Sequence, residues 1–455
     1  MQGVVVVDPF SSGLCLAQLA MERGFACIAV FSDAEDNLQD LLGHLPLAVR
    51  RSFAAAIFRE PTMTLDQLVS TVRSVGFEIV GVLAGAEPGV CLADALSEAF
   101  GVRTNGSAGS AARRNKYVMG ETIRAAGLRA IKQCQALSWS DAERFLLKEF
   151  PSSSFDAILK PLESAGSDDV FLVHSMAEAK AAFDTIVGKV NHLRLTNTSC
   201  LVQEYLAGSE YVVDTVSRDG NHKVIAVWEY DKRPINGAAF VYFGVWLRPV
   251  TCHKTLALVK YALQVLDAVG IRNGPGHAEI IWTKGNEPCL VEVGARLHGR
   301  NGTDIPILMR SQGYSIASAT LDAYFNPSAF HLLPQIPSNL RAHGVKATLV
   351  SYDHGTLKDM PGLREIEMMA SYVETRVEST SGVVVTPTID AFTTPGCILL
   401  VHADKVTLDK DYRRIRELER HGLYEFVGHD YQGAKTTKCH PIVDVVGRDS
   451  DVVVA

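Results

Sequence analysis

Residues 276–282 read GHAEIIW and residues 290–302 read LVEVGARLHGRNG, and each stretch sets one carboxylate, Glu279 or Glu292, in an apolar run. Between them, TKGNEP (283–288) has the composition of a turn. Antiparallel pairing across such a turn places the two carboxylates side by side on one face of a sheet. Adjacent carboxylates repel unless a cation lies between them. A phosphate-bound Mg²⁺ is a natural occupant, because it takes one or two carboxylates together with phosphate oxygens. A general acid/base dyad is the other chemistry open to such a pair. Three glycines and two arginines, Arg296 and Arg300, follow Glu292 in the second stretch, and the planar guanidinium fork suits phosphate or carboxylate.

Upstream, the first hundred residues alternate strand and helix. GVVVVD (3–8), FACIAVFS (25–32) and FEIVGVLAG (77–85) read as buried strands, while SSGLCLAQLAMERG (11–24) and VCLADALSEAFG (90–101) read as helices. That alternation predicts a parallel, doubly wound, Rossmann-like sheet. The turn after the first strand is DPFSSG, with Pro9 where a dinucleotide fingerprint needs glycine, so NAD binding is not expected. A Gly/Ser loop, TNGSAGSAARRNK (104–116), marks a first boundary and a Pro-rich stretch, FNPSAFHLLPQIP (325–337), a second. The division expected is 1–112, 113–330 and 331–455. The last part reads as a smaller α+β domain, with strands in GVKATLVSY, GVVVTP and CILLVHA and a charged helix over 409–422.

Three further stretches carry candidate chemistry. Lys116 opens an amphipathic helix, a place where the helix dipole prefers an anion, so it reads either as a solvated lysine or as part of an anion site. Lys160 ends an apolar run and precedes SAGSDDV (164–170), and a buried lysine needs a partner that a phosphate under a Gly/Ser loop would supply. In LVQEYLAGSEYVVD (201–214), Gln203 and Glu204 sit among apolar residues, with a break at Gly208 before Glu210. Such an edge either pairs with adenine, leaving Glu210 for ribose, or is an exposed hairpin. YVVDTVSRDGNHKVIAVWEY (211–230) predicts a hairpin turning at RDGNH.

A formal charge of −7, with 47% hydrophobic and 21% charged residues over 455 positions, gives no basic tract for nucleic acid or anionic membrane. No stretch approaches the eighteen or so apolar residues of a membrane span, and MQGVVVVDPF lacks the basic start of a signal peptide. Nine cysteines without a C-x-x-C pair fit reduced thiols in a cytoplasm, with Cys27, Cys91 and Cys289 expected in the core. Cys439-His440 lacks partners for a structural zinc site.

In order, the motifs are a lysine, a lysine with a flexible loop, a strand–hinge–Glu, and two glutamates on paired strands. That order resembles the ATP-grasp superfamily over residues 1–330. AGAEPGVCLADALSEAFG, RRNKYVM, YDKRPINGAAFVYFG (230–244) and RIRELERHGLYE are most similar to the L-amino-acid ligases of the bacilysin-synthetase type. The resemblance implies a mixed α/β and α+β multidomain fold: a Rossmann-like N-terminal domain, an ATP-grasp domain with a small lid at about 120–205, and the smaller C-terminal domain. It implies ATP and Mg²⁺, or Mn²⁺, as cofactors. Lys116 and Lys160 would meet phosphates, and Ser164, Gly166 and Ser167 would lie in the lid loop. Gln203, Glu204, Tyr205 and Leu206 would hold adenine, and Glu210 the ribose. Glu279 and Glu292 would bind metal. His277, Arg296 and Arg300 would serve the transferred phosphoryl group, the acyl phosphate or a substrate carboxylate. Gly294 departs from the pattern, since many members carry a metal-binding Asn there. The activity implied is ATP-dependent joining of an amino acid or related acid to an amine, releasing ADP and phosphate. A purine-biosynthetic or carboxylase acceptor and a non-catalytic nucleotide-binding regulator are the alternatives. Small-molecule substrates are the expected partners, and a homodimer is open. Glu87 and the 230–244 stretch are candidates for the amino-acid site.

Overall fold

A computed structural model describes residues 1–428 except His44, Pro46, Ser153, 165–167, His192, Arg300, Ser338 and Glu378; Cys439 and His440 lie outside it. Strands β1 (Gln2–Val7), β2 (Ala26–Phe31), β3 (Ala55–Phe58) and β4 (Glu78–Ala84) form a parallel sheet in the order β3-β2-β1-β4. Val4 to Val7 are completely buried, as expected of a strand covered on both faces. Helices Ser12–Glu22 and Leu65–Ser74 lie between strands of this sheet and Val90–Phe100 follows β4, which realises the Rossmann-like reading. β3 was not read from the sequence; it is four residues long and only one of them, Ile57, is fully buried. Cys91 corrects one expectation: it is exposed, on the first turn of helix Val90–Phe100.

Next come β5 (Gln133–Ala136), β6 (Ala157–Lys160), β7 (Phe171–Val173) and β8 (Cys200–Glu204), an antiparallel sheet in the order β5-β8-β6-β7. Helices Trp139–Glu149 and Met176–Ile186 start at Ser138 and Ser175, whose hydroxyls accept backbone N–H groups of the first turn. Leu146, Phe155, Leu159, Phe183 and Ile186 fill the core between helices and sheet.

The chain then divides into two compact units. The first holds Met1–Val227, Leu256–Ile305 and Tyr314–Ser338; the second holds Trp228–Thr255, Pro306–Gly313 and the residues from Asn339 onward. In the first unit, β9 (Gly208–Arg218) turns at Asp219-Gly220 into β10 (Asn221–Ile235), whose first half belongs here. Both turn residues have positive φ, 54° and 82°, the conformation that twists a two-residue hairpin correctly. β9 also pairs with β12 (Gly274–Thr283), which pairs with β13 (Pro288–Gly294).

In the second unit, the rest of β10 continues through β11 (Ala238–Arg248) to β14 (His343–Leu349), β16 (Gly396–His402) and β15 (Tyr372–Val377). Helix Lys405–Arg420 packs its Leu408, Tyr412 and Ile415 into this unit's core. The helix begins four residues before the expected start, because Asp404 caps the N–H groups of Val406 and Thr407, both at 3.1 Å. The 230–244 stretch belongs to this unit.

Candidate active site

Three adjacent strands build the site. Asp214 on β9 faces His277 on β12, which faces Gly294 on β13; the next row is Val212, Glu279 and Glu292. Because side chains alternate along a strand, these rows share one face, and Ile281 opposite Glu210 extends it by another row. The pairing of Glu279 with Glu292 is the register that the turn between them predicts, with a bulge following Glu279.

Helix Lys116–Ala125 delivers the first lysine. Asn115 caps it, accepting from the N–H groups of Tyr117 and Val118 at 3.0 and 3.1 Å. Just before the cap, Arg113 is wholly buried, pairs with Asp94 at 2.9 Å and donates to the Val269 carbonyl at 3.1 Å. So anchored, Lys116 places its ammonium 2.6 Å from Glu292 Oε2 and 2.8 Å from the Ser164 carbonyl. Lys160, at the end of β6, is only 6% exposed, and among the described residues no carboxylate pairs with its ammonium. Burial, with Lys116 nearby, pushes it down to about 8 against the pull of Glu292, Glu279 and Glu210. The two lysines and three glutamates therefore share one electrostatic neighbourhood.

A second cluster closes on Glu87. Its carboxylate takes Arg114 Nη1 on one oxygen and Arg296 Nε on the other, each at 2.8 Å. Burial works against the Glu87 charge, yet Arg296 and Arg114 hold its carboxyl at about 2. This pair explains Gly294. A Cβ at 294 would fall 2.9 Å from Glu87 Oε2 and 3.2 Å from Arg296 Cζ, so an ion pair fills the room a side chain would need. Glu87, Arg114, Lys116, Ser164, Glu292 and Arg296 line one small cavity.

A third cluster surrounds Asp214, which is fully buried. His277 Nδ1 lies 2.8 Å from its Oδ1 and His298 Nδ1 3.0 Å from its Oδ2. His277 Nε2 reaches Glu279 Oε1 at 3.3 Å. Burial alone would lower His277; its bonds to Asp214 and Glu279 raise it to about 9. Burial alone would raise Asp214, yet His298 and His277 hold its carboxyl well below the usual range.

The remaining expected residues are spread further. The buried Gln203 amide donates to Gln133 Oε1 at 2.9 Å. The Glu204 carboxylate pairs with Arg129 and accepts the Lys132 N–H, each at 2.9 Å. Tyr205 is half-buried and Leu206 buried, in the connection between β8 and β9, so the strand break falls before Gly208. Ser164 Oγ donates to Asp168 at 3.0 Å. Gly166, Ser167 and Arg300 lie outside the described residues.

Residues 153–304 match the ATP-grasp domain family. Dapdiamide A synthase of Enterobacter agglomerans is 29% identical over 419 residues, covering 91% of this chain and 95% of that one. The L-arginine-specific L-amino acid ligase of Bacillus subtilis is 22% identical over 234 residues, covering 50% and 53%. The crystal structure of an L-amino acid ligase from Bacillus licheniformis shares the fold, with a TM-score of 0.72 at 19% identity over 92% of this chain and 97% of that one. Residues 153–304 thus carry an ATP-grasp domain. Structures of phosphoribosylglycinamide synthetase from Anaerococcus prevotii and N5-carboxyaminoimidazole ribonucleotide synthetase from Thermotoga maritima share the fold as well, with TM-scores of 0.62 and 0.64 at 12% and 14% identity, each over 92% of this chain and 98% of that one.

Sequence reasoning missed Asp214, His298 and Arg114 as parts of the site. Asp214 and Arg114 were within quoted motifs, but only the strand register and the helix entry give them partners. His298 stands in the opening stretch between two arginines, and no spacing rule links it to a carboxylate 84 residues earlier.

Proposed function

We propose that the protein is an ATP-dependent carboxylate–amine ligase that joins an amino acid, or a related small acid, to an amine. The observation that carries this is the row Glu279–Glu292 with Lys116 on one carboxylate and Arg296 four residues on. The similarity to dapdiamide A synthase over nine-tenths of the chain supports it.

The donor set fits Mg²⁺. Glu279 and Glu292 offer hard carboxylate oxygens in register, with no thiolate among them, and Mn²⁺ accepts the same donors. Bound there, the ion would neutralise triphosphate charge as the phosphoryl group moves. Gly294 supplies no further ligand, so Glu279 and Glu292 would hold it with phosphate and water.

The chain's own groups divide the remaining work. Lys116 and Lys160 bind phosphate oxygens, and the buried ammonium of Lys160 gains its missing partner when they arrive. Ser164, Gly166 and Ser167 belong to the loop over the triphosphate. Gln203, Glu204, Tyr205 and Leu206 take the adenine, and Glu210 the ribose. A substrate carboxylate oxygen attacks the γ-phosphorus and ADP departs. The amine nitrogen then attacks the acyl carbon, phosphate leaves, and the nitrogen loses a proton. Arg296, Arg300 and His277 stabilise the anions formed, and the lid excludes water that would hydrolyse the acyl phosphate.

The three-part division at 112 and 330, with a lid near 120–205, belongs to this reading. A cytoplasmic location does too, since the eight described cysteines are free and no described helix is long and apolar enough to cross a membrane. The test is ADP release with Mg²⁺ across pairs of the twenty amino acids. A ligase releases ADP only with an accepted pair; a regulator binds ATP and releases none with any pair.

A further inference from the structure

Asp214 touches two imidazoles, and neither histidine comes from its own strand. His277 is its register partner on β12, and His298 arrives from the loop after β13. The two rings meet edge to face, 4.5 Å apart at 62°. An ionised carboxylate only accepts hydrogen bonds, so both histidines must present Nδ1–H to it. That choice fixes each ring's orientation and leaves each Nε2 pointing away from Asp214. For His277 this Nε2 is the atom beside Glu279 Oε1.

The second imidazole carries a different load. His298 lies two residues after Arg296, in a loop pinned at its other edge by the first residues of helix Ser12–Glu22. Ser12 Oγ donates to the His298 carbonyl at 2.5 Å and accepts the Gly302 N–H at 3.0 Å, while Ser11 Oγ accepts the Asn301 N–H at 2.9 Å. Ser11 does this with φ at 51°, a conformation a serine adopts at a cost. Asp214 therefore holds the inner side of the loop that Ser11 and Ser12 hold from outside.

We propose that Asp214 is a positioning residue of the ligase site: one carboxylate that sets His277 against Glu279 and, through His298, fixes the loop carrying Arg296. It rests on the ligase reading above. The assignment to positioning follows from burial: Asp214 is completely covered, so it touches no substrate itself and acts through its neighbours, the two rings among them.

Asp214→Asn separates this from a packing role, because the amide keeps the volume but accepts through one oxygen, so only one Nδ1–H keeps its acceptor. Amino-acid-dependent ADP release should lose about 10- to 100-fold in kcat, the usual cost of losing an outer partner of a catalytic group, with the KM for ATP within about threefold of wild type. In histidine-labelled protein, two downfield, slowly exchanging imidazole N–H resonances should be present in wild type, with at least one lost in the variant. Because Asp214 is so deeply buried, His298→Leu and His298→Asn repeat the test from the other side. The leucine variant should lose kcat, and the asparagine variant, whose amide N–H can reach Asp214, should recover most of it. Unchanged kcat in Asp214→Asn, or equal losses in the two His298 variants, would overturn the proposal. Failure of the ligase reading would look different: a wild type that releases no ADP with any pair, while its two N–H resonances still respond to Asp214→Asn.

Discussion

The half-buried Glu87 and the buried Asp214 in the first unit and the buried Glu419 in the second are all largely desolvated acids, yet they hold different charge. Glu87 has an arginine on each oxygen, and Asp214 a histidine on each. Glu419 has Arg416 at 3.0 Å and the Val350 N–H at 2.9 Å, and burial pushes its carboxyl up to about 7 despite them. Arg416 is itself shared among the carbonyls of Phe243 and Thr348 and the rings of Phe243 and Tyr412. A single cation does not hold the Glu419 carboxyl down against burial, whereas two, one on each oxygen, hold those of Glu87 and Asp214 low. The first unit thus maintains a set of ionised groups around its cavity, an arrangement whose desolvation cost points to chemistry rather than to fold stability.

That contrast can be broken at several points. The largest effect should come from Glu292→Gln, which removes the carboxylate that pairs with Lys116 and that the proposal assigns to the metal. ADP release should fall by at least about 10²- to 10³-fold, as for other lost electrostatic stabilisers, while the melting temperature stays near wild type; retained turnover would remove the metal role. Arg296→Ala should lower kcat by about 10²-fold and leave Glu87 with a single arginine, so that its carboxyl titrates upward from about 2 toward the behaviour of Glu419. A change confined to KM would mean that Arg296 grips the ground state instead.

A smaller loss is expected from Lys160→Met, which replaces a buried, unpaired ammonium with an apolar chain of similar length. ATP should bind about tenfold more weakly, near 1.4 kcal/mol, while the melting temperature rises; unchanged affinity would sink the phosphate assignment. The smallest effect belongs to the second unit. The folded-state value of Glu419, about 7, lies above the ordinary 4.5, so the folded protein holds this proton more tightly. Stability from this group is complete below about pH 4.5 and declines as pH rises through 7. Glu419→Gln should therefore melt like wild type at pH 4 and above wild type at pH 8. A variant less stable than wild type at pH 8 would show that Glu419 is a working ion pair after all.

Much of the site was legible in the sequence because its logic is local. The turn TKGNEP sets the register that brings Glu279 beside Glu292, and Asn115 starts the helix that aims Lys116. Lys160 could be recognised as a buried cation from the apolar run before it. What escaped depends on distant partners. Gly294 looked like the loss of a ligand, but the structure shows Glu87 and Arg296 filling the space, and their pairing spans 209 residues. The Asp214–His298 contact is equally non-local. The fold followed the same rule: long apolar strands were read correctly, while β3, four residues long and partly exposed, was not.

The most direct measurement follows the oxygen. With an accepted amino-acid pair whose activated carboxylate carries ¹⁸O, the account predicts that one labelled oxygen appears in the phosphate released with ADP, as an acyl phosphate requires. Phosphate released without label, under conditions where the amide product forms, would contradict it.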